Sequence, residues 1–163
     1  MRVNQGVEWA LHTCLNLGWL EPEGPFTAAR LAAFYDLPPA YLNRQLQLLV
    51  KAGILTSVSG PRGGFRLARG LTEISVLDVV VAIEGRTSAF ECAQLLRHGP
   101  DGDPGEDYRA SCRISQTMTR AELAWRRELA SETLADLRGS VEAAFPHTPS
   151  RTRDWMDDPG RDR

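Results

Sequence analysis

The sequence predicts a mainly α-helical fold carrying one small β-hairpin. Three observations support this. Apolar residues recur at helical spacing along most of the chain. Two of the helical stretches are separated by the tight turn Asp36-Leu37-Pro38-Pro39. Directly after them, two short β-prone runs flank a glycine-rich tip. The chain has 163 residues, 42% apolar and 25% charged, which suits a globular domain and excludes a mostly disordered one. No apolar run approaches the ~20 residues of a membrane span. The N-terminal residues lack an apolar leader segment, so the cytoplasm is the expected location.

The first helix is expected over 3–17, where Val3, Val7, Ala10, Leu11, Cys14 and Leu15 form one apolar stripe. Gly18 and the Glu21-Pro22-Glu23-Gly24-Pro25 cluster end it in a loop. Thr27 opens a second helix over 28–35. A third runs from about 40 to 52, with Pro39 tolerated at its start and Gly53 as its stop. Residues 54–58 and 65–67 read as strands around Ser59-Gly60-Pro61-Arg62-Gly63-Gly64. Helical spacing resumes over 74–83 and stops at Gly85. Residues 99–107 form an acidic loop with no apolar residue to pack. From 113 to 145 one long helix is expected, presenting Ile114, Met118, Ala121, Trp125, Leu129, Leu134, Leu137, Val141 and Phe145. It exceeds what a small domain needs, which suggests a dimerisation helix packed on a second subunit. The charged, proline-bearing tail 146–163 is expected to be disordered.

Helix, tight turn, helix, hairpin is the order of a winged helix-turn-helix, here spanning 1–86. The second helix of such a pair fits a major groove ~12 Å wide, and the wing reaches backbone or minor groove. Charge agrees: residues 27–69 carry a net +5, while the rest of the chain carries −7. A basic module inside an acidic protein suggests a local polyanion-binding surface. The expected phosphate contacts are Arg30, Lys51, Arg62 and Arg66. Base contacts are expected from Tyr41, Asn43, Arg44 and Gln45 on the third helix. Solvated surface residues are the bland alternative for each.

Several motifs appear in the order of a known family. Thr27-Ala28-Ala29-Arg30-Leu31-Ala32, Pro39-Ala40-Tyr41-Leu42 and Leu49-Val50-Lys51-Ala52-Gly53-Ile54-Leu55 resemble the DNA-binding domain of the Rrf-type bacterial transcriptional regulators, the IscR/NsrR group. Gly60-Pro61-Arg62-Gly63-Gly64-Phe65-Arg66-Leu67-Ala68 resembles their wing. Ile74-Ser75-Val76-Leu77-Asp78-Val79-Val80 with Ile83-Glu84-Gly85 resembles the segment that follows. The resemblance covers roughly 3–140. It implies a homodimer on double-stranded DNA with two-fold symmetric half-sites, and in many members an iron–sulfur cluster near the dimer interface.

Cluster-binding members usually place three cysteines between wing and long helix, whereas this chain has two there, Cys92 and Cys112, in segment 87–112. A [2Fe–2S] cluster needs four protein ligands. Cys14 belongs to the first helix's apolar stripe and reads as a buried thiol. Glu8 and His12 lie four residues apart on one helix face, a spacing also common in surface ion pairs. The segment Gly6-Val7-Glu8-Trp9-Ala10-Leu11-His12 with the two cysteines resembles a redox-sensing branch of the family. There a [2Fe–2S] cluster takes two cysteines from one subunit and a glutamate and a histidine from the other. The resemblance thus implies Glu8, His12, Cys92 and Cys112 as ligands, with Trp9 and His12 as a redox-coupled switch. His98 as a replacement ligand, a tetrahedral zinc ion on the same four residues, and a cluster-free repressor working by thiol chemistry or a small ligand stay open. No nucleophile motif supports an enzyme.

Overall fold

The computed structural model describes residues 3–158. Its helices are α1 (Gln5–Trp19), α2 (Ala28–Phe34), α3 (Pro39–Lys51), α4 (Val76–Glu84), α5 (Arg113–Ser131), α6 (Leu134–Ala144) and α7 (Thr148–Asp157). Strands β1 (Leu55–Val58) and β2 (Gly64–Leu67) pair antiparallel, with Leu55 opposite Leu67 and Val58 opposite Gly64. The fold class is therefore as expected, a mainly helical winged helix-turn-helix with one hairpin.

Local chemistry sets the boundaries. The Asn4 side chain caps α1 by accepting from the Gly6 amide at 2.8 Å, and the Thr27 hydroxyl caps α2 through the Arg30 amide. Between α2 and α3, Asp36 adopts φ +53°, and the Leu37 amide returns to the Ala32 carbonyl at 2.9 Å. This left-handed closure reverses the chain within three residues, and Pro38-Pro39 then admits a new helix. The end of α3 has the same form: Gly53 at φ +70° lets its own amide bond Val50 and the Ile54 amide bond Leu49. The wing tip needs Gly63 and Gly64 because side chains there would strike the Val58 and Phe26 carbonyls. Phe26 pairs with Phe65 in turn, tying the α2 entry to the wing.

The core lies where α1, α3 and α4 meet the hairpin. Leu42, Leu46 and Leu49 of α3, Ala10 and Cys14 of α1, Ile54, Ile74 and Val79 are all buried there. Trp19 adds a side-chain tie, donating its indole N–H to Glu142 of α6 at 2.7 Å.

Two expectations need correction. The single helix over 113–145 is broken at Glu132-Thr133. Thr133 caps α6 in a reciprocal pair with Asp136, while the extended backbone there bridges to Ser75. The Thr-x-x-Asp spacing was a start signal inside an otherwise continuous apolar pattern. The tail is also ordered through residue 158, because α7 buries Thr152 and Met156 four residues apart on one face. Trp155 meets Phe34 edge-on at 5.0 Å, and Arg153 donates to the Trp19 carbonyl. The remainder of the tail, 159–163, lies outside the described residues. Replacing Met156 with Ala is expected to cost about 2–5 kcal/mol in urea unfolding; a cost near zero would show that α7 does not dock.

Candidate DNA-binding surface and metal centre

The candidate recognition surface is built by α3 and the wing. Leu42, Gln45, Leu46 and Leu49 face the core, which leaves Tyr41, Asn43, Arg44 and Gln47 on the exposed side of α3. Lys51 is exposed at its C-terminal end. Arg62 is exposed at the wing tip, and Arg66 stands on β2 with its guanidinium 3.4 Å from the Thr56 hydroxyl. No acid interrupts α3.

Two expected contacts leave this set. Gln45 is 4% exposed and abuts Gly6 of α1 so closely that a Cβ there would come within 2.9 Å of it. Its place between Leu42 and Leu49 on the buried stripe explains this. Arg30 turns to α7 instead: its guanidinium donates to the Met156 carbonyl at 3.0 and 2.5 Å and to the Asp158 carbonyl at 2.8 Å. It also lies over the Trp155 ring. A cation at the negative end of a helix is favourably placed, so Arg30 fastens the C-terminal helix.

The four expected metal ligands form two pairs. Cys92 and Cys112 come near one another, close enough for Cys92 to act on the Cys112 thiol, although nineteen residues separate them in sequence. Cys112 precedes the first turn of α5, and the backbone amides of Ser115 and Ile114 lower its thiol pKa, with Cys92 adding a smaller effect. Glu8 and His12 are exposed on α1, on the rim of an apolar recess formed with Leu137 and Val141 of α6. Among the described residues, no third His, Cys, Asp or Glu joins either pair in a metal-holding cluster. His98 is exposed and outside both pairs. Cys14 is fully buried, and burial pushes its pKa up to about 12.

Two aromatic residues connect the Glu8–His12 pair to the DNA-binding helices. Trp9, half-buried, meets Tyr41 of α3 edge-on at 5.1 Å. The Tyr35 ring lies 5.3 Å from the His12 ring, with its hydroxyl 3.5 Å from His12 Nδ1 and 3.2 Å from Asn16 Oδ1. Burial raises the Tyr35 phenol pKa, partly offset by the Asn16 hydrogen bond. Sequence reasoning missed Tyr35 because it stands 23 positions from His12, in another helix's cap. No local pattern signals such a contact.

A family model described as Rrf2, iron-dependent transcriptional regulator, matches residues 3–139. The chain belongs to the Rrf2 family. NsrR of Geobacillus kaustophilus is 31% identical over 137 residues, covering 84% of this chain and 89% of that protein. YwgB of Bacillus subtilis is 29% identical over 156 residues, covering 96% and 95%. Among solved structures, T. potens IscR aligns with a TM-score of 0.66 at 24% identity over 89% of this chain and 91% of that one. CymR, the global cysteine regulator of B. subtilis, aligns with a TM-score of 0.63 at 22% identity over 86% of this chain and 98% of that one. These two likenesses concern the fold. The family's DNA-binding regulators are not enzymes, and the winged helix is the module they share. Among the described residues no helix is long and apolar enough to cross a membrane.

Cys112 and Cys14 should differ in solution. With limiting iodoacetamide at pH 7.5, the metal-free protein is expected to be alkylated first at Cys112, whose lowered pKa favours thiolate, and last at Cys14. Peptide mass spectrometry reads the order. Early labelling of Cys14 would contradict its burial.

Proposed function

We propose that this chain is a redox-sensing homodimeric regulator in the cytoplasm, with a [2Fe–2S] cluster at the dimer interface whose redox state sets operator affinity. The observation that carries this is the division of four suitable ligands into two pairs, neither sufficient alone. In the proposed dimer, Cys92 and Cys112 of one subunit meet Glu8 and His12 of the partner subunit. The exposed apolar side of α5, with Ile114 68% and Met118 41% exposed, supports a covering subunit there.

The donor chemistry fits the group. Two thiols lie near one another, and backbone amides favour the thiolate form of Cys112. An imidazole and a carboxylate share one helix face, and histidine replaces thiolate in some such centres. A bound cluster would supply one-electron chemistry. The chain's own residues supply the link to DNA: α1 carries Glu8 and His12 on its outer side and packs on α3 through Gly6, Trp9 and Gln45. A shift of α1 is therefore felt at Tyr41, because packed helices move between discrete arrangements.

For the DNA interface, we assign phosphate contacts to Lys51, Arg62 and Arg66, and base contacts to Tyr41, Asn43 and Arg44. The operator is expected to have two-fold symmetric half-sites. A second reading draws on the adjacent thiols alone: oxidation of Cys92 and Cys112 to a disulfide, releasing two protons and two electrons to an oxidant, would make a cluster-free thiol sensor.

One experiment separates the readings. Protein purified without oxygen is assayed for iron, sulfide and visible absorbance, and then titrated with duplexes it enriches from a random pool. A dithionite-bleachable chromophore is expected, with affinity differing between its two redox states. Arg62→Ala should weaken binding and flatten its salt dependence by about 0.9 per lost phosphate contact in the log–log slope. Colourless protein whose DNA affinity follows thiol oxidation would establish the second reading instead.

A further inference from the structure

His12 has two ring nitrogens, and a neutral imidazole offers a lone pair on only one of them. Which one is free depends on the hydrogen bond the other makes. Around His12 the relevant neighbours are Tyr35 and, behind it, Asn16. The Tyr35 hydroxyl lies nearer to Asn16 Oδ1, at 3.2 Å, than to His12 Nδ1, at 3.5 Å. A phenol has one proton. Donated to the amide oxygen, that proton is not available to the imidazole. The contact at Nδ1 then requires the ring to donate.

The surroundings hold this arrangement in place. Asn16 is 1% exposed on the buried side of α1, so its amide has no solvent to turn toward. The Tyr35 ring is held edge-on by Phe34 at 4.7 Å, and Phe34 is in turn held by Trp155 of α7. Tyr35 itself caps α2 and precedes Asp36 in the turn of the helix-turn-helix.

We propose that Tyr35 and Asn16 are positioning residues that fix the tautomer of His12, through a relay from Nδ1–H to the phenol oxygen and from the phenol O–H to Asn16 Oδ1. The relay leaves Nε2 with the free lone pair, and it orients the ring from a residue of the helix-turn-helix. The inference deepens the proposed function, since it rests on His12 serving as a ligand. Hydrogen-bonding partners of this kind are worth ~10–100-fold in metal affinity where they have been removed. The relay also gives the Glu8–His12 pair a second connection to the DNA-binding helices, at the turn rather than at Tyr41.

The test begins with the full-length chain stripped of iron by chelator. Long-range ¹⁵N–¹H spectra at pH about 8.5, where imidazole is neutral, report which ring nitrogen carries the proton. The His12 signals are identified by their loss in His12→Gln. Wild type is expected to show the Nδ1–H tautomer. Tyr35→Phe keeps the ring packing but removes the acceptor, and should shift His12 toward Nε2–H. Asn16→Ala should do the same by a different route, freeing the phenol proton for Nδ1. Both variants, loaded with iron and sulfide, should then lose iron to a chelator at least tenfold faster than wild type. An Nε2–H tautomer in the wild type would overturn the proposal. So would an unchanged tautomer in both variants, or a shifted tautomer with wild-type iron release. Failure of the underlying reading is a separate result. In that case His12→Gln would retain its full iron complement and visible spectrum, with the tautomer data of the other proteins intact.

Discussion

The contact between α1 and α3 is the constraint on which the rest of the structure depends. α1 buries nearly its entire second half, from Thr13 to Trp19, and its first turns lie against the recognition helix. Gly6 has no Cβ because Gln45 occupies that space, and one turn away Trp9 presses on Tyr41. Removing either contact would loosen the helix carrying the exposed polar residues of the DNA-binding surface. The same helix presents Glu8 and His12 on an exposed face beside Trp9. One rigid rod thus carries the proposed ligand pair on one face and the contacts to α3 on the face beside it. A close-packed interior transmits displacement rather than absorbing it.

This arrangement gives the three cysteines different chemistry from the same side chain. Cys14 lies within the rod, where burial suppresses its thiolate and leaves a small apolar filler. Cys112 precedes α5, where backbone amides favour the thiolate, and Cys92 is brought beside it across the acidic loop. The protein therefore has one thiol biased toward thiolate, at Cys112, and one held protonated by burial, at Cys14. The distinction comes from helix ends and burial rather than from spacing in sequence.

Much of the DNA-binding half could be read directly from the sequence. Apolar spacing located α1, α2, α3 and α4; Asp36-Leu37-Pro38-Pro39 marked the turn; Gly63 and Gly64 marked the wing. The failures share a physical origin in long-range contacts. The sequence around Arg30 alone points to a phosphate ligand, but in the fold its guanidinium donates to carbonyls at the end of α7. Gln45 is polar, yet it sits on the Leu42–Leu49 stripe, and that position rather than its polarity decides its burial. The α5–α6 break was legible in Thr133 and Asp136, but the apolar periodicity running through it masked the cap. The four candidate ligands, Glu8, His12, Cys92 and Cys112, were legible as residue types through the family resemblance. The proximity of Cys92 to Cys112 and of Tyr35 to His12 depends on the tertiary fold, which no local pattern encodes.

The central claim is that two chains complete one site, and mixed dimers test it most directly. One chain carries Glu8→Ala and His12→Ala, and a differently tagged chain carries Cys92→Ala and Cys112→Ala. Each is expected to be colourless as a homodimer. Co-expressed and isolated through both tags, the heterodimer pairs one intact set of cysteines with one intact Glu8–His12 pair across the interface. It should hold one cluster per dimer, half the wild-type complement, with an unchanged visible spectrum. A colourless heterodimer, alongside a coloured wild type, would contradict a site shared between subunits.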